Sequence, residues 1–203
     1  MTGHKLITGI TGGIGSGKST IATILEKLGF PVYYADTEAK LLMNTDPSIR
    51  ERLTQLFGPQ AYNVSGLDRP FIASRIFNDE ESKLRMNAIV HPRVRAHFDD
   101  WAAAQQNSLV FQESALLFET ESYRRFDKTL LVTAPEELRI QRVQSRDGFS
   151  ESEIRSRMNS QLKDEEKIPL ADYIILNDGQ TLVIPQVLNV VKDLRAAVQS
   201  TSS

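Results

Sequence analysis

The chain has 203 residues, 40% of them hydrophobic, a formal net charge of −2 and no cysteine. That length and apolar content suffice for one packed domain carrying an insertion, and they argue against disorder. The lack of cysteine excludes disulfides, thiolate nucleophiles and cysteine-ligated zinc, while the near-neutral charge gives no global field for nucleic acid and no lysine-rich block supplies a local one.

The segment after Met1 to Lys5 is too short for a secretory core, and no apolar run reaches membrane-spanning length. The expectation is a soluble cytoplasmic protein without membrane or nucleic-acid partners. Leu6, Ile7 and Ile10 predict a buried strand. It runs straight into Gly12 to Thr20, GGIGSGKST, which satisfies the P-loop pattern GxxxxGK[ST]. Glycines at Gly13, Gly15 and Gly17 allow backbone conformations closed to other residues, so consecutive N–H groups can turn onto an anion. Gly12 is expected to serve the turn. Lys18 is placed to meet the β and γ phosphates as a point charge, and the Ser19 hydroxyl to ligate Mg²⁺. Ile21, Ile24, Leu25 and Leu28 then recur at helical spacing before Gly29.

A second strand is predicted at Val32 to Tyr34, with a helix starting at Ala35 and Asp36. This puts Asp36 beyond a strand's carboxyl end, where open α/β sheets bind ligands. Phosphoryl transfer to an alcohol needs a group that accepts or orients the hydroxyl proton, and Asp36 fits that role as well as it fits helix capping. From there to about Gln106 the pattern is almost wholly helical. Ile49, Leu53, Leu56 and Phe57 form one helix stopped by Gly58 and Pro59; Phe71, Ile72 and Ile76 form another. A third, through Leu84, Met86, Ile89 and Val90, is predicted to end before His91 and Pro92, because a residue preceding proline is pushed out of the α region. His91 therefore reads first as a boundary and second as a ligand contact.

Short apolar strands return at Leu109 to Phe111, Thr129 to Thr133 and Tyr173 to Leu176, as expected of parallel strands covered on both faces. The Glu113 to Glu119 stretch, ESALLFE, has carboxylates that either orient Mg²⁺ or substrate or are simply exposed. Arg139, Arg142, Arg146, Arg155 and Arg157 surround Asp147 to Ser152, which reads as a mobile, lid-like loop. Such arginines neutralise charge on a transferring group, or else pair with Glu136, Glu137, Glu151 and Glu153 on a solvated face. A closing helix carries Val187, Val191, Leu194 and Val198 on one stripe, with Pro185 near its start and a disordered Ser-rich tail beyond. The only imidazoles, His4, His91 and His97, lack the HExxH spacing, so the expected metal is Mg²⁺ brought by a nucleotide. There is no NKxD, DxxG or LSGGQ element, which disfavours a GTPase or a nucleotide-gated module. The residues alone leave a nucleoside, nucleotide or other alcohol kinase open.

Taken together, the motifs resemble the dephospho-CoA kinase family nearly end to end. The match rests on Ile10 to Thr20, Tyr34 to Asp36, IVHPRV at Ile89 to Val94, ALLFE at Ala115 to Glu119, RVQSRDG at Arg142 to Gly148, Arg157 with Gln161, and ADYIILNDG at Ala171 to Gly179. Two departures stand out: Tyr34 where members usually have Asp, and Ala115 where they usually have Pro. The resemblance implies an α/β P-loop kinase, with a five-stranded parallel sheet flanked by helices, a helical insertion and a lid. Residues 1–35 and 107–203 would form the nucleotide-binding core, with the lid at about 143–163, and residues 36–106 the acceptor-binding insertion. It also implies transfer of the ATP γ-phosphoryl to the ribose 3′-hydroxyl of dephospho-CoA. Asp36 would be the base, and Lys18 and Arg142 would act on the transferring group. ATP would meet Gly13, Gly15, Ser16, Gly17, Lys18, Ser19, Thr20, Arg146 and Asn177, the last near adenine, with Ser19 on Mg²⁺. The acceptor would meet Asp36, His91, Glu119 and Arg142.

Overall fold

The computed structural model describes residues 5–77 and 79–201. His4 and the last two serines of the expected tail lie outside them. Two compact units are present, residues 1–34 with 105–203, and residues 35–104.

The first unit is built on a five-stranded, all-parallel sheet in the order β2-β5-β1-β6-β7. The strands are β1 (Leu6–Thr11), β2 (Val32–Tyr34), β5 (Leu109–Glu113), β6 (Lys128–Thr133) and β7 (Tyr173–Leu176). β3 and β4 belong to the second unit. The central strands β5, β1 and β6 are buried almost without interruption, as covering a sheet on both faces requires. Ile10, Val110, Phe111, Leu130, Leu131 and Val132 are wholly inaccessible.

Helices α1 (Lys18–Lys27) and α9 (Val183–Thr201) close one core cluster with this sheet. Ile21 and Leu25 come from α1, and Val187, Val191 and Leu194 from the stripe expected on α9. The remaining helices are α6 (Glu136–Asp147), α7 (Glu151–Asn159) and α8 (Asp164–Lys167). The turn between α6 and α7 is closely specified. Gly148 ends α6 at φ +71°, and Ser150 starts α7 with a reciprocal capping box to Glu153. At the free edge of β7, the Gln186 side chain accepts from Leu176 N–H and donates to Leu176 C=O, both at 2.9 Å.

The second unit holds α2 (Ala35–Thr45), α3 (Pro47–Phe57), α4 (Arg69–Ile76) and α5 (Glu80–Ala104). A hairpin of β3 (Tyr62–Asn63) and β4 (Gly66–Leu67) interrupts the almost wholly helical pattern expected here. Its two-residue strands are too short to show alternation. The contacts that hold it are tertiary: Tyr62 Oη donates to Met43 C=O at 2.7 Å, and Leu67 N–H donates to Asn44 Oδ1 at 2.8 Å.

The predicted helix end at His91 and Pro92 is overturned, since α5 runs through both. Interior proline costs about 3 kcal/mol through its lost N–H and its clash with the preceding turn. Against that, Ile89 and Val90 before it and Val94, Phe98 and Ala102 after it are buried, and a full-sized apolar side chain contributes about 1.5–3 kcal/mol. Burial on both sides outweighs the local preference.

Asp46 ties α3 to α5. Its Oδ1 caps α3 by accepting from Ser48 and Ile49 N–H at 2.8 and 3.2 Å, while Oδ2 accepts from Arg93 Nε at 2.7 Å. Burial alone would raise this carboxyl, but the Arg93 and backbone bonds outweigh it and hold it below the usual range. Asp46→Ala is expected to destabilise the protein by about 1–2 kcal/mol, read as a lower urea midpoint, with Asp46→Asn closer to wild type because it keeps the cap.

Candidate active site

Between β1 and α1 every carbonyl from Gly12 to Gly17 has a donor. Lys18 Nζ donates to Gly12 C=O at 2.7 Å and to Gly13 C=O at 3.2 Å, and Gly13 also accepts Ser16 N–H. Arg139 Nε reaches Ile14 C=O at 3.0 Å, Arg142 Nη1 reaches Gly15 C=O at 3.5 Å, and Asn177 Nδ2 reaches Ser16 C=O at 2.8 Å. Gly17 C=O accepts Thr20 and Ile21 N–H, which starts α1. A planar peptide points its C=O and N–H in opposite directions. Holding the Ile14 to Ser16 carbonyls with side chains of α6 and of the residue after β7 therefore fixes where the loop's amides face. Such a curl of amides at a helix N-terminus binds anions.

Gly15 and Gly17 take φ of +78° and +96°, left-handed backbone as expected. Gly13 corrects the sequence reading: it does not have a positive φ, and its requirement is space, because a Cβ there would collide with the Arg139 guanidinium. Gly12 is instead the third positive-φ glycine of the loop. Ser16 is fully buried, and its Oγ has no hydrogen-bond partner among the described residues. Ser19 and Thr20 are exposed in the first turn of α1.

The arginine cluster divides. Arg139 is buried and Arg142 half-buried, both on the P-loop, and Arg142 Nη2 also reaches Asn177 Oδ1 at 3.4 Å. Arg155 pairs with Glu136, Glu137 and Glu151 on an exposed face, Arg157 lies 4.1 Å over the Phe149 ring, and Arg146 makes a bidentate pair with Asp147. The solvated-face reading thus describes Arg155. Leu138, Gln141, Arg142, Ser145 and Arg146 line an open cavity of about 470 Å³.

Neither carboxylate of the ESALLFE stretch is simply exposed. Glu113 is buried at the end of β5, in register with Ile10 of β1. Glu119 has a side chain only 12% accessible and meets Lys167, which is fully buried, at 2.8 Å. Lys167 had no sequence signal, since its partner lies far away in the chain.

In the second unit Asp36 is exposed in the first turn of α2, and its charge acts on His91 of α5. Burial lowers the His91 pKa below 6.5, the Arg95 cation lowers it further, and Asp36 opposes both. The structure thus brings His91 and Asp36 into one electrostatic neighbourhood.

The dephospho-CoA kinase family profile matches residues 6–182. A dephospho-CoA kinase of Bacteroides fragilis (strain YCH46) is 40% identical over 184 residues, 90% of each chain. A crystal structure from Thermus thermophilus superposes with a TM-score of 0.83 at 37% identity, covering 96% of this chain and 98% of that one. The dephospho-CoA kinase of Campylobacter jejuni superposes at 0.65 with 27% identity, covering 96% and 98%. The chain belongs to the dephospho-CoA kinase family.

Dephospho-CoA kinases are phosphotransferases that act on a ribose hydroxyl of dephospho-CoA, using ATP, in coenzyme A biosynthesis. Tyr34, one of the two departures from the expected motif, donates its hydroxyl to Glu26 Oε2 at 2.9 Å. Burial first, then that bond, push the phenol up to about 12.

Because the His91 pKa is depressed on folding, its stability contribution is present above pH 6.5 and is lost as pH falls through the folded value. The melting temperature of the wild type is therefore expected to drop more steeply than that of His91→Gln from about pH 7 to pH 5, measured by calorimetry.

Proposed function

We propose that this chain transfers the ATP γ-phosphoryl to the ribose 3′-hydroxyl of dephospho-CoA with Asp36 as general base. The observation that carries the donor half is the complete set of donors on the P-loop carbonyls, which commits the loop's backbone to one shape. The family match selects the acceptor.

The loop amides hold the β and γ phosphates, and Lys18 leaves the Gly12 and Gly13 carbonyls to meet them. Arg142 and Arg146 neutralise charge on the phosphates from the α6 side, and Asn177 belongs to the adenine half. Asp36 takes the proton as the ribose oxygen attacks. The new O–P bond forms while the bond from Pγ to the bridging oxygen breaks, and its electron pair leaves on ADP.

Mg²⁺ fits the residues present. A nucleotide-borne Mg²⁺ keeps most of its ligands from phosphate and water, so the Ser19 hydroxyl on the first turn of α1, with Glu113 buried at the end of β5, is a sufficient protein share. When bound, the ion screens the charge that develops on the β and γ oxygens.

His91, half-buried and electrostatically coupled to Asp36, serves the acceptor half. The setting is the cytoplasm, with small-molecule substrates and no nucleic-acid partner. That reading is supported by the net charge of −2, the absence of cysteine, and the lack among the described residues of a helix long and apolar enough to cross a membrane.

Incubation with Mg·ATP and dephospho-CoA, AMP, UMP or uridine separately is expected to give a phosphoryl mass gain on dephospho-CoA alone. Phosphorylation of a nucleotide with dephospho-CoA inert would refute the acceptor. Asp36→Asn is expected to lower kcat by about 10²–10⁴-fold while nucleotide affinity stays near wild type; an unaffected kcat would reduce Asp36 to a helix-end residue.

A further inference from the structure

One amide of the P-loop is not available to phosphate. Ile14 N–H donates to Gln161 Oε1 at 2.9 Å, while Ile14 C=O accepts from Arg139 at 3.0 Å. Both polar groups of this peptide-bearing residue are thus taken by side chains from behind the loop. Gln161 lies in the short segment between α7 and α8. Its N–H closes a turn onto Met158 C=O. The next residue, Leu162, donates its N–H to Glu119 Oε1 at 3.1 Å.

The same Glu119 oxygen lies 2.8 Å from Lys167 Nζ, an ion pair too oblique for a hydrogen bond. Lys167 is inaccessible to solvent, and Glu119 Oε2 is buried without a hydrogen-bond partner among the described residues. A buried lysine keeps its charge only with a counter-charge at hand, and removing one partner of such a pair leaves the other uncompensated. A second link joins the same two regions: Arg139 Nη1 meets Asp164 Oδ2, at the start of α8, at 3.4 Å.

We propose that Glu119 is a positioning residue for the P-loop. Paired with Lys167, it fixes the Leu162 backbone and so holds the Gln161 carboxamide on Ile14, setting the outer turn of the loop from behind. Glu119 is thereby assigned to the donor side of the reaction. The inference rests on the reading of the P-loop as the ATP site, so its test includes nucleotide binding without turnover.

Gln161→Ala removes the acceptor of Ile14 N–H and leaves the ion pair in place. It is expected to weaken binding of a non-hydrolysable ATP analogue, measured by calorimetry, about fivefold, as the loss of one net hydrogen bond implies. The KM for ATP should rise in parallel, with the KM for dephospho-CoA unchanged. Gln161→Glu keeps an acceptor oxygen and is expected to restore most of the affinity. Glu119→Gln should weaken the analogue similarly, and because it acts through Gln161, the double variant Glu119→Gln/Gln161→Ala should be no worse than the weaker-binding single variant. Should Glu119→Gln fail to fold with Lys167 left unpaired, Glu119→Gln/Lys167→Met supplies a neutral pair for the same cycle.

Multiplicative losses in the double variant, an unmoved affinity in Gln161→Ala, or a change confined to the KM for dephospho-CoA would each overturn the proposal. Wild-type protein that does not bind the analogue would instead sink the reading of the loop as an ATP site.

Discussion

The carbonyls between β1 and α1 must find donors if the loop is to keep one shape, and the first unit is arranged around that need. Ile14, Gly15 and Ser16 receive theirs from Arg139, Arg142 and Asn177, three side chains remote from the loop in sequence. Their carriers are α6 and the end of β7, so the parallel strand order, which sets β6 beside β1 and β7 beside β6, is what makes the shape attainable. The glycines complete the arrangement from the other direction. Gly13 leaves room for the Arg139 guanidinium, and Gly17 adopts a left-handed backbone beside Asn177.

A different economy governs the second unit. There a single carboxylate, Asp46, joins helix capping to a link between α3 and α5, and α5 tolerates proline because the apolar side chains on either side of it are buried. Keeping α5 continuous holds His91 in the half-buried setting where Arg95 and Asp36 compete over its charge.

The sheet was legible because its strands are short apolar runs bounded by turn residues, and Tyr173–Leu176 coincides with β7 to the residue. The P-loop was legible because its residue spacing is itself the constraint. What escaped were features whose partners lie far apart in the chain. Nothing local distinguishes Lys167 from a surface lysine, yet it is fully enclosed against Glu119. Arg139 and Arg155 look alike in a run of charged helix, but one is buried against the loop and the other is half-buried among exposed glutamates. The hairpin β3–β4 was invisible because strands of two residues carry no period. Pro92 misled because the rule for the preceding residue describes a local preference, and burial along α5 exceeds it.

The Gln186 carboxamide on Leu176 bears on how this protein meets copies of itself. An outermost strand normally offers its unshared backbone to any passing chain, which can add on and continue the sheet. Here a side chain imitates the missing neighbour, presenting one acceptor and one donor to the two main-chain groups of Leu176. The sheet is thereby sealed at the carboxyl end of β7 by its own following helix, and an intruding strand would first have to displace that amide.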